Sequence, residues 1–323
     1  MTHLLKPGHL LALFVWLTGL GLPIAAHAQS CTFGVTNITF SGVDTTLNTT
    51  FDATATLTVN CTGNRTRTVR VCPNIGSGSG NATASNPRQL ANGANFMNYN
   101  IYQDLGHSTI WGSWLWPYTP RPPTIDISLA PAGSGSATAT LYAQISAGQQ
   151  TLTALTFTSS FAGGHTSLRY AYTTAGTCAT IGSGGSGGTI PFTVTAANTK
   201  TCRVTANDLN FGAVTTIAAN RDVDGSATVT CTNATPYRVL LNNGLTGTGP
   251  TARKMTLGAN SVTYALYRNA ARTQAWGNIS GTNSLSGTGT GFAQTIPIYG
   301  RVPPQTVPPP GAYKDTVVMT VEY

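Results

Sequence analysis

One stretch of the sequence, residues 110–118, concentrates side chains that could bind a ligand by desolvation or by stacking. The candidate binding residues are its apolar side chains: Ile110, Trp114, Leu115, Trp116, Pro117 and Tyr118. Gly112 and a run of prolines after Trp116 favour a loop here over a strand. Contiguous apolar side chains on an exposed loop commonly mark an interaction site. Packing of the same residues in a core is the alternative, and the sequence leaves both open.

Two further loops are candidates for the same surface. Residues 74–98 are rich in Gly, Ser and Asn and end near Phe96 and Met97, while residues 159–165 place Phe161 among small and polar residues. Apolar loops bind by releasing water and make little demand on geometry. We therefore interpret the three loops as a surface for broad adhesion of low specificity.

A motif that includes the first tryptophan of the loop occurs twice. The two copies, equally spaced, are Tyr99-Asn-Ile-Tyr102 with Trp111-Gly112 and Tyr264-Ala-Leu-Tyr267 with Trp276-Gly277. Self-similarity of this kind predicts two related domains in tandem. Trp111 has a counterpart in Trp276 and is therefore expected in a core. Trp114 and Trp116 have none, because a polar run follows the second Trp-Gly.

The cysteines indicate an oxidising compartment. There are six: Cys31, Cys61, Cys72, Cys178, Cys202 and Cys231. The repeat pairs Cys31 with Cys61 and Cys202 with Cys231, which leaves Cys72 to bond with Cys178. A metal site is not expected, because no C-x-x-C occurs and only two histidines follow residue 28.

Residues 1–28 are predicted to be a secretory signal peptide. Lys6 precedes an apolar stretch over 10–26, and Ala26-His27-Ala28 forms a small-x-small cleavage site, so the mature chain would begin at Gln29. A membrane anchor is the alternative, and the glycines and proline within the apolar stretch speak against it. No later segment is apolar over the length of a bilayer.

Charge and motif content argue against several functions. The net charge of +8 comes from 17 Lys and Arg against 9 Asp and Glu, but the basic residues are scattered, so no nucleic-acid partner is expected. No G-x-S-x-G, H-E-x-x-H or P-loop pattern is present. Ser108 with His107 and Asp104 is a weak coincidence, and Asp222 and Asp224 are interpreted as turn formers. Neither catalysis nor a cofactor is expected.

Strands must position these side chains. Segments that alternate at period two, separated by Gly, Asn and Pro turns, predict an all-β chain of two tandem β-sandwiches. The domains are expected at 29–181 and 202–323, joined by a linker over 182–201. The linker begins with a flexible Gly/Ser run and then carries an alternating segment, 189–196, which could pair with either domain.

The second domain resembles a spore coat protein U domain. The matching residues, in order, are Cys202, Leu209-Asn-Phe-Gly212, Ala227-Thr-Val-Thr-Cys231-Thr, Tyr264-Ala-Leu-Tyr267, Trp276-Gly277, Gly287-Thr-Gly-Thr-Gly291, Ile298-Tyr-Gly-Arg301, Gly311-Ala-Tyr-Lys-Asp315-Thr-Val and Thr320-Val-Glu-Tyr323. They cover essentially all of residues 202–323. The first domain is similar to a diverged relative that keeps the first cysteine pair, the Tyr99–Trp111 block and Leu141-Tyr142.

Proteins with this domain are similar to pilins of archaic, Csu-type chaperone–usher pili. The resemblance implies an immunoglobulin-like sandwich in which the C-terminal domain lacks its last strand. A periplasmic chaperone would fill the gap first. After passage to the outer-membrane usher, the N-terminal extension of the adjacent pilin subunit would replace it by β-strand addition.

The resemblance also implies a place in the fibre. Only Gln29 and Ser30 precede Cys31 in the expected mature chain, so it would accept a donor strand but not supply one. Such a chain is expected at the fimbrial tip, on the cell surface, as an adhesin whose N-terminal domain binds an abiotic or host surface. The segment 189–196 would then complete the first domain from within the chain.

Two other functions remain open. A glycan-binding tip lectin would need polar groups beside the aromatic residues; Asn98, Asp104, His107 and Arg121 are the candidates. A structural surface-coat protein outside any pilus is the second alternative.

Overall fold

The computed structural model describes residues 29–64, 66–81, 87–116, 118, 121–181 and 187–323; the expected signal peptide lies outside this part of the chain. Its strands form two β-sandwiches, one over residues 30–198 and one over residues 202–322. The fold is all-β, as the alternating pattern predicted, and immunoglobulin-like, as the family resemblance implied. The described part of the chain holds no helix with the length and apolarity needed to cross a bilayer.

The first sandwich is built from strands that alternate in burial. They are β1 (Ser30–Val35), β2 (Ile38–Val43), β3 (Phe51–Thr62), β4 (Thr68–Ile75), β5 (Arg88–Asn92), β6 (Asn95–Tyr102), β7 (Ile125–Ser128), β8 (Ser134–Ile145), β9 (Thr156–Phe161), β10 (Thr166–Ala171), β11 (Gly188–Ile190) and β12 (Phe192–Asn198). Short 3-10 helices span Thr45–Leu47 and Gly163–His165. In β3 the inward residues Ala55, Leu57 and Val59 are buried between polar neighbours, which is the period of a half-buried strand.

Two sheets enclose the core of this sandwich. The larger has nine strands in the order β11-β1-β3-β8-β6-β5-β9-β12-β2, and the smaller has three in the order β10-β4-β7. β10 follows β9 after the 3-10 helix Gly163–His165 but belongs to the smaller sheet. Phe33, Leu57, Phe157 and Val71 contribute fully buried side chains to the core between them.

The segment that follows the Gly/Ser run belongs to the first sandwich. β12 lies between β9, with which it pairs antiparallel, and β2, with which it pairs parallel. Its inward side chains Phe192, Val194 and Ala196 are buried in the core. Upstream, β11 pairs parallel with β1.

The second sandwich repeats the plan with fewer strands. They are β13 (Cys202–Ala206), β14 (Arg221–Cys231), β15 (Pro236–Leu241), β16 (Arg253–Leu257), β17 (Asn260–Tyr267), β18 (Leu285–Thr288), β19 (Ala293–Val302) and β20 (Met319–Glu322). One sheet has the order β13-β14-β19-β17-β16 and the other β18-β15-β20. Its core centres on Trp276, Val229 and Val239.

Three disulfides fix these elements: the two that the repeat predicted, and a third between the two cysteines that the repeat left over. Cys31–Cys61 joins opposed positions of β1 and β3, and Cys202–Cys231 joins the matching positions of β13 and β14. Cys72–Cys178 ties the segment after β10 to β4.

A short connection joins the two sandwiches, and side chains bond one sandwich to the other across it. Three residues, 199–201, connect β12 to β13. Arg203 Nη1 lies 2.9 Å from Asp44 Oδ2, and the Asn233 amide donates to the Thr151 carbonyl at 2.6 Å.

Candidate functional site

Trp111 is buried at the start of the stretch 110–118, which we call the aromatic loop. Its side chain is 2% exposed, and its indole N–H donates to the carbonyl of Pro73 in β4 at 3.0 Å. Trp276 makes the same bond to Val239 in β15 at 2.9 Å. Both tryptophans are core residues, as predicted, so the distinctive part of the loop starts at residue 113.

A buried guanidinium fixes the position of Trp111. Arg88, at the start of β5, is fully buried and donates to the carbonyls of Ile75, Gly76 and Trp111, each at 2.7 Å. The ring of Tyr118 lies over it at 4.1 Å. No carboxylate among the described residues pairs with Arg88, so carbonyl oxygens and an aromatic face satisfy this buried cation.

Asn74 and Ser113 shape the loop into a tight turn. Asn74 Oδ1 accepts from the Ser113 hydroxyl at 2.7 Å and from the Trp114 N–H at 3.0 Å. The Ser113 oxygen accepts in turn from the N–H groups of Leu115 and Trp116 at 3.1 and 3.2 Å. The Ser113 bonds are local and replace the ladder bonds that a loop lacks, while the Asn74 bonds tie the same turn to β4.

Trp114, Leu115 and Trp116 form what we call the aromatic patch. Leu115 is 55% exposed, whereas Trp114 and Trp116 are half-buried. Trp114 packs against the small cluster formed by the Cys72–Cys178 disulfide and Ile181, and its ring centre lies 4.6 Å from the Arg169 guanidinium carbon. The patch therefore presents one freely exposed aliphatic side chain flanked by two indole rings.

Trp114 of the patch lies against the outer face of the three-stranded sheet. Arg169 alternates along β10 with the core residues Leu168 and Tyr170, and Cys72 follows the core residue Val71 in β4. Because successive strand residues point to opposite faces, Arg169 and Cys72 point away from the core. The patch thus lies on a flank of the sandwich.

His165 supports the second indole. Its ring stacks on Trp116 with centroids 4.3 Å apart and an interplanar angle of 22°. Its Nδ1 accepts the Gly78 N–H at 3.1 Å, which requires the neutral ring protonated on Nε2. Burial lowers the pKa of His165 below its usual value and favours the same neutral form.

Three of the predicted binding residues are core residues instead. Tyr118 is 2% exposed and covers Arg88; burial raises the pKa of its hydroxyl, and the nearby guanidinium offsets part of that rise. Met97 is fully buried because it points inward from β6 opposite Leu90. Phe161 is fully buried because β12 places Phe192 over its ring, stacked at 4.5 Å. Pro117 lies outside the described residues.

Two other predicted residues do not join the patch. Phe96 is 39% exposed, but it lies on the β5–β6 hairpin, whose Asn92 bonds the carbonyl of Thr156 at the start of β9. The patch contacts residues beyond the opposite end of β9, so the strand separates the two. Ile110 is half-buried and pairs with Tyr102.

The polar candidates serve the loops in which they lie. Asp104 accepts the N–H groups of Ser108 and Thr109, which lowers the pKa of its carboxyl, and it also accepts the Ser108 hydroxyl. His107 contacts Gln144 and Asp52, so the structure has no bond between the Ser108 hydroxyl and the His107 ring.

The remaining polar candidates lie apart from one another. Asn98 accepts the Gln89 side-chain amide, while Arg121 donates to the Ser113 carbonyl at 3.1 Å. Asp222 and Asp224 lie in β14 and bond Arg301 and Arg272, which corrects their interpretation as turn formers. Within the described residues, no three His, Cys, Asp or Glu side chains form a metal-binding group.

Arg88, Asn74 and Ser113 were missed by sequence reasoning. A signal for Arg88 exists in the repeat: Arg88 precedes Gly93-Ala-Asn95 and Tyr99 at the spacing with which Arg253 precedes Gly258-Ala-Asn260 and Tyr264. Gly93 and Gly258 both adopt a positive φ in the hairpin turn, which favours glycine. No comparable signal marks Asn74, whose partners are distant in sequence.

Comparison with known proteins shows the family to which the sequence is similar. Residues 20–163 and 188–320 match the Spore Coat Protein U domain. "Protein U" of Myxococcus xanthus is 35% identical over 161 residues, which is 46% of this chain and 78% of that protein.

Solved structures resemble the chain at lower identity. The CsuC–CsuE chaperone–tip adhesion subunit pre-assembly complex of the archaic chaperone–usher Csu pili of Acinetobacter baumannii is 18% identical, with a TM-score of 0.52, covering 92% of this chain and 100% of that chain. The CupB6 tip adhesin of Pseudomonas aeruginosa is 12% identical, with a TM-score of 0.38, covering 91% of this chain and 94% of that chain. The first of these likenesses establishes the fold.

Proposed function

Because the chain belongs to the Spore Coat Protein U domain family, we propose that it is the adhesive tip subunit of a chaperone–usher fibre. The first sandwich binds a surface through the aromatic patch, and the second joins the fibre by accepting a β-strand. A periplasmic chaperone, an outer-membrane usher and the adjacent pilin are its assembly partners, and it acts at the cell surface after export. The fold likeness to a chaperone-bound tip subunit supports this proposal.

The observation that carries the proposal is a difference between matched strand positions. Ala91 and Thr256 occupy matching positions, each three residues after the matched arginines Arg88 and Arg253. Ala91 pairs with Thr158 of β9, and Thr256 pairs with Lys314, so Lys314 matches Thr158. The preceding residues differ in burial. Phe157 is fully buried beside β12, whereas Tyr313, the matching residue of the second sandwich, is only half-buried. Within the described residues, no strand occupies the position of β12 in the second sandwich.

The other side of this gap is also uncovered. β2 borders β12 in the first sandwich, but the matching residues 207–220 form no strand. Leu209 and Phe211 pack on the core while remaining half-buried, and Val214 is 46% exposed. A strand inserted between residues 207–220 and 313–318 would bury apolar side chains on both sides and pair an open edge.

The strand-accepting function can be tested with a copy of β12. A peptide of residues 189–199 is added to the full chain, and amide hydrogen exchange is measured over residues 313–318. We expect protection to rise with the peptide and not with a peptide carrying Val194→Asp, because that change places a charge in the core. Unchanged exchange with both peptides would contradict the proposal.

The adhesive function is tested on whole cells. A chain with Trp114→Ser, Leu115→Ser and Trp116→Ser together is scored for adhesion to hydrophobic plastic, with fibres counted by microscopy. Normal fibres with lost adhesion are expected, because the patch contributes exposed apolar surface and lies away from the core. A matched control is Ile279→Ser, which changes a 57% exposed apolar residue after the second Trp-Gly. Normal fibres with full adhesion would refute the patch as the binding surface.

A further inference from the structure

Two arginine side chains border the aromatic patch. Arg169 stacks on Trp114 at 4.6 Å, and exposed Arg121 donates to the carbonyl of Ser113, the residue before Trp114. The two guanidiniums therefore lie against adjacent residues of one short loop. A guanidinium carries five N–H donors, and stacking on a ring face engages none of them. Arg121 and Arg169 therefore each keep N–H groups that these contacts do not use.

In the part of the chain that the structure describes, no carboxylate forms an ion pair with either of these two cations. The first sandwich has four acidic residues, and each is bonded elsewhere: Asp44 to Thr46 and Arg203, Asp52 to Gln144, Asp104 to Ser108 and Thr109, and Asp126 to Arg70. Arg70 shows the contrast, since Asp126 binds it through two oxygens at 2.6 and 2.5 Å. The patch thus combines exposed hydrocarbon with two positive charges that have no ionic partner.

We propose that the aromatic patch selects solid hydrocarbon surfaces that carry fixed anionic groups, with Arg121 and Arg169 as the selecting residues. This rests on the proposed adhesive function and names its class of ligand. Leu115 and the indole rings gain from desolvation on any apolar surface. The guanidiniums add charge-assisted hydrogen bonds only where carboxylate or similar oxygens project from that surface. A neutral plastic gives the first contribution alone, and a cationic surface opposes the second.

Latex beads of matched size and different surface chemistry test the selection. Binding of the full chain is measured on carboxylated, unmodified and amine-modified polystyrene at low salt. The variants are Arg121→Gln, Arg169→Gln and the double variant. Arg238→Gln is the control, since it removes the same charge from an exposed site in the second sandwich. Arg121→Lys and Arg169→Lys retain the charge but lose the planar fork.

The expected result is tighter binding to carboxylated than to amine-modified beads. Each Gln variant should lower this preference roughly threefold, as one exposed ionic contact would, and Arg238→Gln should leave it unchanged. High salt should remove the preference, because the Debye length falls from about 30 Å at 0.01 M to about 3 Å at 1 M. Arg121→Gln tests ligand selection without a change in folding, since Arg121 is exposed and, unlike Arg169, does not stack on an aromatic ring.

Failure of this inference is distinguishable from failure of the adhesive function. If the Trp114, Leu115 and Trp116 triple variant binds unmodified beads as well as the parent chain, the adhesive proposal itself fails. If that variant loses binding but the double arginine variant keeps the full preference for carboxylated beads, only the selection by charge is overturned. Binding to phosphatidylglycerol vesicles without binding to carboxylated beads would also overturn it, because the partner would then be a membrane.

Discussion

The guanidinium of Arg88 donates to the carbonyl oxygen of Trp111 at 2.7 Å, and Arg253 makes the same bond to Trp276 at 2.7 Å. In each sandwich the arginine begins the matching strand, and the tryptophan lies 23 residues later. The bond therefore belongs to the common fold and not to the patch alone. In the first sandwich it anchors the base of the aromatic loop.

Replacing Arg88 should destabilise the first sandwich. Arg88→Met would leave the carbonyls of Ile75, Gly76 and Trp111 buried without their donor, and each unmet group costs about 1–3 kcal/mol. We expect a loss on the order of 3 kcal/mol in the free energy of unfolding, measured with urea. Arg238→Met, at an exposed site, should cost less than about 0.5 kcal/mol. Equal losses for the two variants would contradict the anchoring role.

Replacing Asn74 should loosen the patch more than it unfolds the sandwich. Asn74→Ala removes the acceptor of the Ser113 hydroxyl and the Trp114 N–H, so the turn would lose its fixed geometry. The expected cost is about 1–3 kcal/mol, with faster amide exchange at residues 113–116. Asn92→Ala is a matched control, because Asn92 donates one bond at the exposed hairpin. Exchange at 113–116 that stays slow in Asn74→Ala would rule out this role.

Removing the Cys72–Cys178 bond should expose Trp114. The bond spans 106 residues, and cross-links of such length stabilise a fold by roughly 2–5 kcal/mol through the unfolded state. Cys72→Ser with Cys178→Ser should lower the free energy of unfolding by that amount and increase acrylamide quenching of tryptophan fluorescence, since Trp114 packs against the cluster that contains this disulfide. The same quenching before and after the change would show that Trp114 does not depend on the bond.

Stability around His165 should fall as the medium becomes acidic. The folded state lowers the pKa of His165 below its ordinary value of 6.5, so the unfolded chain binds the proton more readily. The contribution of neutral His165 to the free energy of unfolding is therefore complete above pH 6.5 and is lost as the pH falls through the lower pKa of His165 in the folded state. Trp116 fluorescence should decrease over the same range, because the stacked ring becomes charged.

The matched variants isolate this titration. His165→Gln should remove the fluorescence change, while His107→Gln, in a different loop, should retain it. A change of equal size in both variants would assign the titration to another group.

The sequence by itself determined the architecture. Period-two alternation, as in residues 53–60, needs only local side-chain chemistry to indicate a strand with one buried face. The repeated Tyr–Trp block and the cysteine spacing specified two related sandwiches, the two matching disulfides and the burial of Trp111, because two copies of one fold bury the same positions. The Cys72–Cys178 bond followed only by elimination. The family resemblance rests on those ordered residues and is now established by the matches over both halves.

The tertiary structure decided which apolar residues are exposed. Met97 and Phe161 lie in polar stretches whose composition predicts loops, yet Met97 pairs with Leu90 across its own hairpin and Phe161 is stacked by Phe192, 31 residues later. Tyr118 belongs to the same aromatic run as Leu115, but it folds over Arg88 while Leu115 points to solvent. Burial depends on contacts between segments far apart in the chain, and a local pattern carries no record of those partners.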